Sequence, residues 1–144
     1  MLFRSGKALD MKNNKTIGLI AIVMGVVFIL AGGVSYNMVH NKLAAEKIHV
    51  SEDSPKYAGA EVVGPFTAFQ EANMIATHAL KATNGKTYAE LDREDPLRVV
   101  AMNGSFLRAS LFTSVVSFGV SALAAGVGAM FVLIGMAIRN TAKQ

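Results

Sequence analysis

TIGLIAIVMGVVFILAGGVSYNMV, residues 16–39, does not contain a single charge. A second and longer run, ASLFTSVVSFGVSALAAGVGAMFVLIGMAI, residues 109–138, has the same property. A helix that crosses a bilayer needs roughly 20 such residues, and both runs exceed that. Residues 40–108 lie between them, in a chain of 144 residues that is 52% hydrophobic and 17% charged. A soluble domain carries about 25% charged residues. The composition therefore excludes a large soluble enzyme. The absence of Cys excludes a disulfide-stapled or zinc-thiolate domain.

The expected fold class is an all-α membrane protein. Two transmembrane helices are joined by a partly helical extracytoplasmic segment, and the second span extends outward as a long helix. The boundaries read as a cytoplasmic N-terminal tail (1–15), transmembrane helix 1 (16–39), an extracytoplasmic helical segment (40–108), transmembrane helix 2 with its outer extension (109–138), and a cytoplasmic C-terminal tail (139–144).

Charge sets the orientation. Residues 1–15 carry Arg4, Lys7, Lys12 and Lys15 against Asp10, and residues 139–144 carry Arg139 and Lys143. The middle segment holds eight basic and nine acidic residues, a net of −1. Lys and Arg accumulate on the cytoplasmic side of short loops, so both termini are placed in the cytoplasm and residues 40–108 outside the plasma membrane. The overall charge of +4 thus comes from the tails. No basic patch interleaves with aromatics, so nucleic acid is not an expected partner. Signal-peptide cores run about 7–15 residues, and the first run is longer, which favours an uncleaved anchor over a cleaved leader. Met11-Lys12-Asn13-Asn14-Lys15 reads like a start, leaving residues 1–10 as an optional or disordered extension.

Each span carries a row of small residues. Gly18, Gly25 and Gly32 recur every seven residues, a spacing that keeps them on one face of a packed helix. In span two, Ser117, Ser121, Ala125 and Ala129 form a four-residue repeat, with Ala122, Gly126 and Gly128 beside it. Helices in lipid associate where small residues let backbones approach. Both rows are candidate contacts, either with each other or with a partner protein. Neither span contains Asp, Glu, Lys, Arg or His, which counts against a pump, an ion channel or a proton-coupled transporter.

In the middle segment, His40 to Val50 can prolong span one before Ser51-Glu52-Asp53-Ser54-Pro55 breaks it. Apolar residues at 3–4 spacing predict a helix over 66–83, with Phe66, Phe69, Ile75 and Leu80 expected inside. Asn84-Gly85 stops it. Thr87-Tyr88-Ala89-Glu90 fits a capping box opening a further short helix, and Asp95-Pro96 opens the helix that runs into span two. Asn103-Gly104-Ser105 within that helix marks a close contact or a kink.

Catalytic residues are sparse. His40, His49 and His78 form no metalloprotease motif. His40 and His49 with Glu46, Glu52 and Asp53 could be drawn as a metal site, but such groups at a membrane edge are usually solvated. No catalytic, cofactor-binding or metal-binding residue is assigned. The acidic run Glu90–Asp95 reads as a solvated helix end or, less simply, as a docking patch for a basic partner.

The stretch GPFTAFQEANMIATHALKATNGKTYAELDREDPLRVVAMNGSFLRASLFTSVVSFGVSALAAGVG, residues 64–128, resembles a family of small two-span actinobacterial membrane proteins. With span one included, the resemblance covers nearly all of residues 12–139. Members have sometimes carried the automatic name of an aromatic ring-opening dioxygenase, which these residues do not support, because the ligands of a soluble iron site are missing. Such proteins are similar to accessory subunits of the actinobacterial respiratory supercomplex, which joins a cytochrome bcc complex to a cytochrome oxidase. The resemblance is one of architecture and carries no functional residue with it.

The expected function is a non-catalytic accessory subunit of a larger integral membrane complex, with cytochrome bcc and cytochrome oxidase subunits and the lipid bilayer as partners. Its contact candidates are Gly18, Gly25, Gly32, Ser117, Ser121, Ala125 and Ala129, with Phe66 and Phe69 outside. The alternative is a free-standing envelope sensor or regulator that binds a lipid or ligand.

Overall fold

The computed structural model describes the backbone of residues 2–141 and the side chains of residues 11–141. Three helices account for the fold: α1 (Leu2–Glu46), α2 (Pro65–Ala82) and α3 (Leu97–Thr141). No strand occurs among the described residues. The helix of residues 2–10 continues into α1, where the sequence suggested an optional extension. Residues 142–144 of the C-terminal tail lie outside the described residues.

α1 and α3 are each 45 residues long, about 68 Å at 1.5 Å per residue. That is more than twice the roughly 30 Å hydrocarbon core, and α3 passes through both Gly104 and Gly119 without a break. Both helices are long and apolar enough to cross a membrane. Their most apolar 18-residue windows are each only 17% buried. A core helix of a soluble protein would bury most of such a window. Here Leu19, Val23, Val27 and Leu30 of α1, and Leu123, Met130 and Leu133 of α3, face outward, a surface suited to lipid.

The chain forms two compact units. One comprises the chain up to Tyr36 and from Val120 onward; the other runs from Asn37 to Gly119. In the first, α1 and α3 lie antiparallel and are locked by glycines. In the second, the end of α1, the 47–64 loop, α2 and the start of α3 enclose a small core of Leu43, Val50, Val62, Ala68, Ala72, Leu111 and Phe118.

Local rules explain the joints. Lys47 adopts a left-handed φ of 53° and ends α1 short of the Val50 expected from sequence. The chain then pairs with itself: Val62 N–H donates to Ile48 O and Val50 N–H to Ala60 O, both at 2.8 Å. This bridge drives Val50 and Val62 fully inside, each contributing about 1.5–3 kcal/mol relative to exposure. α2 ends in a paired-carbonyl cap. Asn84 takes the left-handed conformation (φ 55°), and Gly85 N–H reaches back to Leu80 O at 2.7 Å, the geometry of a Schellman motif. Asp95 accepts the Leu97 N–H at 2.9 Å and starts α3 as expected. Only one half of the expected Thr87 capping box forms, with Glu90 accepting both the Thr87 N–H and hydroxyl at 2.8 Å, while the Glu90 N–H goes to the Thr87 carbonyl; it closes a turn and no helix follows. Arg98 pins this turn, donating to Leu91 O at 2.9 Å and lying 4.0 Å from the centre of the Tyr88 ring.

The face of α2 differs from expectation. Ala68, Glu71, Ala72 and Met74 are buried, whereas Phe66, Phe69 and Leu80 are exposed and Ile75 is half-buried. The alanines permit a close approach to the core that phenylalanine would prevent. The aromatic face is left outward.

Candidate functional site

The contact between α1 and α3 is built from backbone. A Cβ placed on Gly25 would lie 2.5 Å from the Gly128 carbonyl oxygen, and one on Gly128 would lie 2.5 Å from that of Gly25. Gly18 and Gly135 repeat this reciprocity at 2.7 and 2.5 Å. At Gly32 the facing atoms are Ser121 O at 2.5 Å and Ala125 N at 2.9 Å. The glycine hydrogens therefore point at facing carbonyls, the arrangement of Cα–H···O contacts. A polar bond, Ser121 Oγ donating to Ser35 Oγ at 2.9 Å, and stacked Phe28 and Phe131 rings with centroids 6.3 Å apart add to this contact.

The row on α1 is the one legible from sequence. Its mate on α3 is Ser121, Gly128 and Gly135, with the same seven-residue spacing, so the two helices mesh position for position. Of the four-residue repeat expected on α3, Ser121 and Ala125 face α1. Ser117 is half-buried with its hydroxyl bonded to Thr113 O at 2.8 Å, and Ala129 faces outward. Gly18, Gly25 and Gly32 thus act within the chain.

Beyond the two uncharged runs, aromatic and aliphatic side chains are presented rather than buried. Phe66 is 74% exposed and Phe106 76%, with Val99 and Met102 completing a 3–4 spaced stripe on α3. Phe69 is half-exposed and meets Phe112 edge-on, with ring centroids 5.8 Å apart.

A groove of about 570 Å³ opens between the end of α1, α2 and α3. Leu43, Ile48, Ile75, Phe106, Leu107 and Leu111 form its apolar wall, and Lys42, Glu46, Ser110 and Ser114 supply polar groups. Lys42 stands just past the first uncharged run, and Ser110 and Ser114 stand at the start of the second. The groove therefore lies where the first uncharged run ends and the second begins. Glu71 reaches its edge yet is buried. Its carboxylate accepts the Ser51 N–H at 2.7 Å and the Ser51 hydroxyl at 3.1 Å. That clamp fixes the 47–64 loop to α2.

The histidines are held apart. His40 Nδ1 donates to Val63 O at 2.8 Å, a bond that sets its tautomer. His49 Nδ1 lies 3.2 Å from Lys47 O. His78 Nε2 contacts Asp53 at 2.8 Å, and this hydrogen bond holds the Asp53 carboxyl below its ordinary value. The five groups drawn from sequence as a metal site do not converge, and among the described residues no cluster of three or more His, Cys, Asp or Glu could hold a metal ion. The acidic run is partly used locally, through Glu90 at Thr87 and Asp95 at Leu97.

This arrangement can pack, anchor and bind. Its parts are two surfaces, one groove and a clamp. Comparison with protein-family models, with curated proteins and with solved structures finds no match.

Proposed function

We propose that this chain is a non-catalytic accessory subunit of a larger plasma-membrane complex. α1 and α3 anchor it, both termini are cytoplasmic, and residues 40–108 lie outside. The observation that carries the reading is the exposure of Phe66 and Phe106, with Val99 and Met102, on helices beyond the uncharged runs. Exposed apolar side chains of this kind suit a protein contact, and aromatic residues are enriched in interface cores. The matched glycine rows support α1 as a retained anchor, since its whole contact face has a mate in α3. The resemblance drawn from residues 64–128 points to the cytochrome bcc–oxidase supercomplex as the assembly. Purification in mild detergent followed by mass spectrometry and haem absorbance tests this. Haem-bearing membrane subunits should co-purify, and Phe66→Glu with Phe106→Glu should release them while the chain stays in the membrane. Recovery of the chain alone would overturn the reading.

The groove favours a second reading, a free-standing lipid-binding membrane protein, because its apolar wall and charged rim sit where the first uncharged run ends and the second begins. That reading expects a monomer carrying bound phospholipid in the same purification.

A further inference from the structure

We propose a second binding site, independent of the partner reading, in the pocket between the C-terminal half of α2, the 86–88 turn and α3: a site for a phosphate-type oxyanion. The pocket is a partly open hollow of about 120 Å³, space enough for a phosphate group. Small residues close its floor, for a Cβ on Gly104 would lie 2.8 Å from that of Ala79.

The lining includes two cations, Lys86 and Arg108, and no acid. Neither cation has an ion-pair partner among the described residues. The Arg108 Nε–H is buried and has no hydrogen-bond acceptor. Arg remains charged at any accessible pH, and its planar fork suits phosphate oxygens. That unpaired donor is costly, and because Nε is closed to solvent Arg108 brings its charge to the pocket rather than a hydrogen bond from Nε. The Phe112 ring, 5.8 Å from the guanidinium, positions Arg108 without supplying an acceptor for Nε.

Nearby groups that could compete are already engaged. Glu90, the acid at the rim turn, accepts the Thr87 N–H and hydroxyl; these bonds, with the Lys86 charge as a smaller cause, hold its carboxyl below the ordinary value. The Thr83 hydroxyl is surrounded by the Ala79, Leu80 and Lys86 carbonyls, and the Thr87 hydroxyl donates to Glu90. Recognition therefore falls to Arg108, Lys86, Ser105 and Tyr88. Arg108 is also the last charged residue before the uncharged run 109–138. The oxyanion can be the headgroup phosphate of an anionic phospholipid or free phosphate.

The test uses the full chain. In detergent it is titrated with inorganic phosphate by calorimetry. In phosphatidylcholine nanodiscs with and without phosphatidic acid, retained lipid is read by native mass spectrometry. Saturable phosphate binding identifies a free anion, and preferential retention of phosphatidic acid without phosphate binding identifies a headgroup; either supports the site. Arg108→Gln should weaken the bound species at least about tenfold, as expected for losing a charge-assisted donor. It should leave the melting temperature of the anion-free protein unchanged or raised, because an unpaired donor is removed. Lys86→Gln, on an exposed residue, should weaken binding severalfold with folding intact. Absence of binding in both arms, or equal binding by the parent and both variants, overturns the proposal.

Discussion

Replacing Gly25 by Ala adds one methyl group at the closest approach of α1 and α3. The new carbon would meet Gly128 O at 2.5 Å, Val132 Cγ2 at 2.7 Å and Val132 N at 2.8 Å. Ordinary contact begins at 3.4 Å, so the helices must move apart to admit it, and two of the three obstacles are backbone that cannot rotate away. Overpacking of this kind costs about 1–3 kcal/mol. Separation at one rung also loosens its neighbours, because Gly18 and Gly32 lie on the same row. Gly33→Ala is the matched control: the same chemical change on the same helix, with nothing within 4 Å. There the helix-propensity gain of about 0.8–1 kcal/mol acts alone. The two variants should move in opposite directions when unfolding is followed by circular dichroism during titration from mild detergent into SDS. Gly128→Ala should behave like Gly25→Ala. Equal midpoints for Gly25→Ala and Gly33→Ala would refute the meshed-row packing.

Glu71→Ala leaves the Ser51 N–H without its acceptor and should destabilise the segment by about 1–3 kcal/mol, seen as faster amide exchange over residues 47–64; unchanged exchange there would remove the clamp from the account. Asp53 is held below its ordinary value of 3.8 by the hydrogen bond to His78. A depressed carboxyl stabilises the fold above its unfolded value and loses that contribution as pH falls through the lowered one. Asp53→Asn should therefore flatten the drop in melting temperature below about pH 4, and an unaltered pH profile would show that the pair contributes nothing. Single cysteines in this Cys-free chain test orientation: one at Tyr57 or Lys86 should react with an impermeant maleimide on intact cells, and one at Lys12 should react only after lysis. The reverse pattern would invert the topology.

Much of the frame was legible because lipid imposes simple rules. Two uncharged runs foretold two long apolar helices, and the seven-residue glycine spacing foretold the contact row on α1. Its mate was obscured because Ser121 belongs to two overlapping periods. The four-residue repeat through Ser117, Ala125 and Ala129 stands out in sequence. The seven-residue series Ser121, Gly128 and Gly135 is selected only by meshing with α1. The face of α2 was misjudged for a related reason. Hydrophobicity places Phe66 and Phe69 inside, but Ala68 and Ala72 fit the narrow space against the core, which leaves the aromatic side chains outward. The bridge between residues 48–50 and 60–62 left little trace, since Lys47 and Tyr57 take positive φ without the glycine that would announce it. The oxyanion pocket was illegible because Lys86 and Arg108 stand on separate elements of the chain and come to line one pocket only where α2 packs on α3 at Ala79 and Gly104.

The most direct test of the partner reading is site-specific photo-crosslinking in intact cells, with a photoreactive phenylalanine at Phe66 or Phe106 and, as control, at Leu123 on the outward-facing side of α3. The account predicts that Phe66 and Phe106 each crosslink to an integral membrane subunit of a haem-bearing complex, in high yield, while Leu123 gives mainly lipid adducts. Lipid adducts or uncrosslinked monomer at both outer positions would contradict it.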